Sequence, residues 1–68
     1  MERIHIGQLI QQEVRRKGLT VVAFARMLGC SRINVYKIYE RPSIDTGQLQ
    51  RISAILHTDF FRHYSETL

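Results

Sequence analysis

The residue types best suited to recognising another molecule fall between Ser31 and Glu40. An arginine can grip guanine O6 and N7 with two hydrogen bonds, a lysine can reach a base or a phosphate, and an apolar side chain can contact a thymine methyl. The segment carries all three kinds, together with a tyrosine and an asparagine. We therefore predict base contacts from Arg32, Ile33, Tyr36 and Lys37, with Asn34 as a further candidate.

Four other polar residues are candidates for binding phosphate, because backbone amides and hydroxyls at helix ends bind phosphate well. They are Thr20, Ser31, Arg41 and Ser43. The charge distribution fits a polyanion partner: residues 1–41 hold eight Lys and Arg against three acids, a net +5, whereas residues 42–68 hold two against three, a net −1. A solvated basic surface would explain the charge alone equally well.

Hydrophobic spacing and capping signals predict five short helices, which make the chain all-α and place these candidates. The first runs from about Ile4 to Lys17. The second is capped by Thr20 and ends at Gly29, and the third is capped by Ser31 and runs from Arg32 to about Glu40, where Pro42 stops it. The inward residues of these three are Ile6, Leu9, Ile10, Val14, Phe24, Ala25, Leu28, Val35 and Ile38.

Two further helices complete the predicted architecture. Asp45, with Gln48 three residues later, forms a capping box that opens a helix through Leu56, with Leu49 and Ile52 also inward. Asp59 then caps a last turn or two. We expect Phe60 and Phe61 to close the core there. A dimer seam that uses Tyr64, Leu68 or their neighbours is the second interpretation of this apolar segment.

The corner between the second and third helices carries the functional prediction. In Leu28-Gly29-Cys30-Ser31 the glycine accepts a left-handed backbone angle and the serine begins the next helix at once. Such a corner lets one helix lie across the phosphate backbone while the next enters the major groove. Cys30 is expected to fill this corner.

The same residues resemble the Cro/C1-type (XRE) helix-turn-helix family over about residues 6–61. The resemblance rests on Gly18-Leu19-Thr20, Phe24-Ala25, Leu28-Gly29-Cys30-Ser31, Val35, Ile38, Pro42-Ser43, and Leu49 with Ile52-Ser53 and Leu56. It implies a compact five-helix, lambda-repressor-like domain occupying residues 1–68, with helices 2 and 3 as the helix-turn-helix. It also implies transcriptional regulation, usually repression, by a homodimer on a palindromic operator of double-stranded DNA.

The chain departs from that family at three places. Val21 stands where many members begin helix two with a phosphate-binding glutamine, and Val14 and Tyr39 stand where many pair an arginine with a glutamate. An apolar contact can replace such an ion pair at little cost when both partners change together. Glu40-Arg41-Pro42 replaces the glycine that usually follows helix three.

Other classes of protein find little support in the sequence. The single cysteine excludes an internal disulfide and a thiolate zinc cluster, and His5, His57 and His63 lack metal-binding spacing and are expected at the surface. We expect no enzyme activity, cofactor or metal, because the sequence has no glycine-rich phosphate loop and no Ser/His/Asp set on elements expected to converge. No membrane partner is expected, since no apolar run exceeds Val21-Val22-Ala23-Phe24-Ala25. The first residues, Met-Glu-Arg-Ile-His, lack the apolar stretch of a signal peptide, so we expect a cytoplasmic location.

Two alternative functions remain open at the level of sequence. The first is a protein-interaction module of the same fold, such as an antitoxin or an anti-regulator, in which exposed Ile33, Tyr36 and Tyr39 bind protein. The second is nonspecific binding of nucleic acid, RNA included. It ranks lower because the aromatic stacking platform of single-strand readers is not evident.

Overall fold

The computed structural model describes residues 3–68, which form five α-helices and no strand. They are α1 (Ile6–Arg16), α2 (Val21–Leu28), α3 (Arg32–Glu40), α4 (Thr46–Leu56) and α5 (Arg62–Ser65). The Cα radius of gyration is 11.5 Å, so the helices form one compact body. Within these residues, no helix has the length and apolarity needed to cross a bilayer.

Side-chain caps begin the first four helices where the sequence provides an acceptor. Thr20, Ser31 and Asp45 each accept a hydrogen bond from the backbone N–H three residues later, as predicted. His5 does the same for α1 through Nδ1, which accepts from the Gln8 N–H. The predicted start at Ile4 and end at Lys17 are therefore each slightly too far out, since His5 and Lys17 are cap residues.

A single buried cluster holds the helices together. α1 packs on α3, and α2 packs on both α3 and α4, so α3 is supported from two sides. The predicted inward faces are confirmed except that Leu9 is only half-buried, at the edge of the core. Cys30 is also half-buried and packs against the core. The buried members are Ile6, Ile10, Val14, Phe24, Ala25, Leu28, Val35, Ile38, Tyr39, Leu49, Ile52, Leu56 and Phe60.

Two aromatic residues lie elsewhere than the sequence suggested. Tyr39 is only 7% exposed, so its expected role as a surface residue for protein binding is wrong. It follows Val35 by four residues and so shares the buried face of α3. Phe61 is 36% exposed and does not close the core, which Phe60 does alone. Asp59 Oδ1 accepts from the Phe61 N–H and caps a turn, but α5 begins only at Arg62.

Candidate nucleic-acid interface

The link between α2 and α3 is three residues long. Gly29 ends α2 in the left-handed conformation, with φ 75° and ψ 35°. The Cys30 N–H donates to the Ala25 carbonyl at 3.0 Å and the Gly29 N–H to the Arg26 carbonyl at 3.1 Å, which satisfies carbonyls at the end of α2. Ser31 caps α3 directly afterwards, so only three residues separate the two helices.

The exposed side of α3 mixes basic and apolar side chains. Arg32, Ile33, Asn34, Tyr36 and Lys37, which were the predicted base contacts, are all exposed. Ile33 is 67% and Tyr36 53% exposed, and helical spacing places Lys37 on the same face, one turn after Ile33. This combination can make apolar contacts and donate hydrogen bonds within one turn of helix.

An aromatic contact chain joins this exposed side of α3 to the core. The Tyr36 ring meets the Tyr39 ring edge to face, with centroids 6.3 Å apart, and the Tyr39 ring lies 6.5 Å from that of Phe24 with nearly parallel planes. Burial raises the pKa of the Tyr39 hydroxyl, while nearby Arg15 works in the opposite direction and Tyr36 adds to the rise. Tyr36 is therefore exposed yet held by a buried neighbour.

The start of α1 fixes the exit of α3. The Ile6 and Gly7 N–H groups donate to the carbonyls of Pro42 and Arg41, at 3.0 and 2.9 Å. The approach requires glycine, because a Cβ at Gly7 would overlap the carbonyl oxygens of Ile38 and Tyr39. Sequence reasoning missed this role of Gly7. The only signal in the sequence was a glycine next to Ile6 in a helix whose other apolar residues recur at helical spacing. That signal does not show which segment of the chain packs against the glycine.

The four predicted phosphate contacts are all exposed. The hydroxyl oxygens of Thr20 and Ser31 accept from their helix N–H groups at 3.0 and 3.3 Å, which leaves each hydroxyl hydrogen free to donate to another group. Arg41 follows the end of α3. Ser43 lies in a separate apolar cleft that includes Phe61 and Tyr64.

One cavity brings together three predicted contacts with a residue that the sequence did not single out. Asn34, Lys37 and Arg41 line a cavity of about 250 Å³ with Arg51 from α4. Nη2 of Arg51 donates to the Leu28 carbonyl at 2.6 Å. The sequence could not reveal this, because the two residues are 23 apart and meet only through the packing of α2 on α4.

Within residues 3–68, neither the ion pairs nor any cluster of metal-ligating side chains overlaps the predicted contact residues. In the described part of the chain, the two ion pairs are Arg16 with Glu13 and Arg62 with Glu66, so neither uses a predicted contact residue. No three His, Cys, Asp or Glu side chains of residues 3–68 come together as a metal site. His57 is exposed, while His5 and His63 are half-buried.

No family model, no curated protein and no solved structure matches this chain in comparisons with known proteins.

Proposed function

We propose that this protein is a sequence-specific double-stranded DNA-binding protein that reads the major groove with α3 and regulates transcription, as a repressor. In this proposal α2 and α3 are the helix-turn-helix of a Cro/C1-type, lambda-repressor-like domain. The protein works as a homodimer on a palindromic operator in the cytoplasm, without a cofactor. Promoter blockage is steric, because two copies of α3 placed about 34 Å apart occupy successive major grooves.

The observation that carries the proposal is the composition of the exposed side of α3. A large β-branched residue such as Ile33, 67% exposed, contributes nothing to the core at that position. Against a thymine methyl it would bury apolar surface, while Arg32 and Lys37 beside it would meet guanine or phosphate. The side chains named for this role form no ion pair within residues 3–68, so they are available to DNA.

Selection from a random duplex library tests the proposal directly. The purified protein is used at about 0.15 M salt, where phosphate contacts are partly screened and base contacts dominate discrimination. We expect recovery of a short motif with two-fold symmetry. A library that shows no enrichment after repeated rounds would contradict sequence-specific binding, and an asymmetric motif would contradict the palindromic dimer.

Two single variants separate base readout from phosphate contact. Arg32→Ala should cost about 1–3 kcal/mol on the selected site and relax the preference at one base position. Arg41→Ala should weaken all duplexes about equally and lower the salt dependence of binding by about one phosphate contact. Equal losses on selected and random DNA for Arg32→Ala would contradict direct readout.

A protein-interaction module is the second candidate function, and the exposure of Ile33 and Tyr36 favours it. Exposed apolar side chains on one helix face also serve protein interfaces. With Tyr39 buried, that interface would rest on Ile33, Tyr36 and the half-buried Val21. Steep salt dependence of duplex binding favours the DNA regulator, because phosphate contacts release counterions.

A further inference from the structure

We propose that the cavity between α2, α3 and α4 is a binding site for a phosphate-class oxyanion, with Arg51 as its anchoring residue. We call it the α2–α4 cavity. Its cationic and amide side chains are Asn34, Lys37, Arg41, Gln48 and Arg51, and Cys30 lies in its wall. None of the sequence motifs pointed to Arg51 as a ligand-binding residue.

The charge of the α2–α4 cavity favours an anion. Lys37, Arg41 and Arg51 bring three positive charges to its wall, and no acidic side chain lines it within the described residues. Like charges gathered in this way repel one another, and a bound anion would offset the repulsion. The cavity volume of about 250 Å³ is many times the roughly 10–15 Å³ that one water molecule requires, so a hydrated phosphate group fits.

Arg51 is the residue whose position is fixed by the fold. One N–H of its Nη2 is used on the Leu28 carbonyl, at the end of α2. A guanidinium has five N–H donors in a rigid fork, so the bond to Leu28 leaves donors free for an anion. The bond to Leu28 therefore holds the guanidinium beside the end of α2, while Lys37 of α3 and Arg41, which follows α3, line the same cavity. Such preorganised, charge-assisted donors are suited to phosphate oxygens.

The phosphate group could belong to a DNA backbone or to a small free anion, since both present the same oxygens. Assignment to the DNA backbone rests on the proposed function, because α3 would carry the cavity to the edge of the groove. The oxyanion site itself does not depend on that function.

The native Cys30 provides the measurement, because it is the only cysteine of the chain and lines the α2–α4 cavity. We would follow alkylation of the full chain by neutral iodoacetamide with increasing pyrophosphate, against sodium chloride of equal ionic strength. Saturable protection by pyrophosphate alone is expected. In parallel, the Gly29 amide and the Arg51 Nε–H resonances should shift with the same midpoint. Protection that never saturates, or that chloride reproduces, would overturn the proposal.

Three variants locate the effect. Arg51→Gln should raise the pyrophosphate midpoint about fivefold or more, given the strength of charge-assisted hydrogen bonds in partly exposed sites. Because Arg51 also binds Leu28, the double variant Lys37→Gln, Arg41→Gln repeats the test without touching that contact. Arg26→Gln removes an exposed cation of α2 outside the cavity and should leave the midpoint unchanged. Equal effects of all three variants would overturn a localised site.

Duplex DNA then distinguishes the two sources. A backbone phosphate in the cavity predicts that duplex also protects Cys30 and that Arg51→Gln lowers the salt slope of duplex binding by about 1. A site for a free anion predicts pyrophosphate protection that duplex does not reproduce. Pyrophosphate binding without any duplex binding would support the cavity and refute the DNA function. Specific duplex binding without pyrophosphate binding would support the DNA function and refute the oxyanion site.

Discussion

Replacing Gly7 with alanine tests whether the contact between α1 and the end of α3 holds the fold together. In an open helix position this change stabilises a protein by about 0.5–1 kcal/mol, because alanine favours helix more than glycine does. At Gly7 the added Cβ would overlap the carbonyl oxygens of Ile38 and Tyr39, which belong to the backbone and cannot rotate away. We therefore expect the opposite sign.

The size of the loss follows from what α1 must give up to relieve the overlap. Moving α1 away weakens the two hydrogen bonds from Ile6 and Gly7 to Pro42 and Arg41, each worth about 1 kcal/mol. Overpacking itself typically costs about 1–3 kcal/mol. After the helix preference of alanine is allowed for, the net loss is about 2–4 kcal/mol, most of the roughly 3–5 kcal/mol that a core of this size supplies.

The chain offers a matched control in Gly47, because Gly7 and Gly47 are each the second residue of their helix. A Cβ at Gly47 would meet only the Asp45 carboxylate, at 3.4 Å, so Gly47→Ala should be neutral or stabilising. Urea unfolding followed by circular dichroism measures both variants. A Gly7→Ala protein as stable as the parent chain would refute the close approach and, with it, the account of how α3 is fixed.

Three further stability changes follow from single residues. The pKa of Tyr39 is raised in the folded protein, so the unfolded chain loses this proton at a lower pH and the free energy of unfolding falls as pH rises above about 10. Tyr39→Phe should remove this part of the alkaline loss of stability. An unchanged alkaline profile would contradict this. Ser53→Ala should raise the free energy of unfolding by about 1 kcal/mol, since the buried Oγ has no partner within residues 3–68; a loss of stability would indicate a missed hydrogen bond. His57→Gly should also stabilise, by about 0.5–1 kcal/mol, because His57 holds left-handed angles of φ 52° and ψ 42°, and a lower melting temperature would refute that reasoning.

Local signals in the sequence were sufficient to place the helices. A cap such as Thr20 or Ser31 acts on a backbone N–H three residues away, so its effect is contained in a short stretch of chain. The buried faces follow for the same reason, from the spacing of apolar residues along each helix. Five helices with bounds close to those observed could therefore be predicted without knowing how they pack.

The features that the sequence did not reveal depend on contacts between helices. Tyr39 lies on the Val35 face of α3, but a tyrosine is as often exposed as buried, and the sequence does not show that its ring packs against Phe24 across the α2–α3 contact. In the sequence, Arg51 cannot be distinguished from an ordinary surface cation. Its hydrogen bond to the Leu28 carbonyl exists only because α4 packs beside the end of α2. The opposite error occurs at Phe61, whose apolar side chain suggested burial. Phe60 occupies the core at this end of the chain, and Phe61 stays exposed.

These contacts together explain how α3 can present a defined surface although it is only nine residues long. An isolated helix of this length is not stable in water, so its geometry must come from its neighbours. The α2 link and Ser31 fix its start, while the amides of Ile6 and Gly7 hold the carbonyls that follow its end. Tyr39 adds a contact from the core to Tyr36 on the exposed side. A helix held at both ends has little conformational freedom left to lose, so a partner that contacts its exposed side meets a small ordering cost.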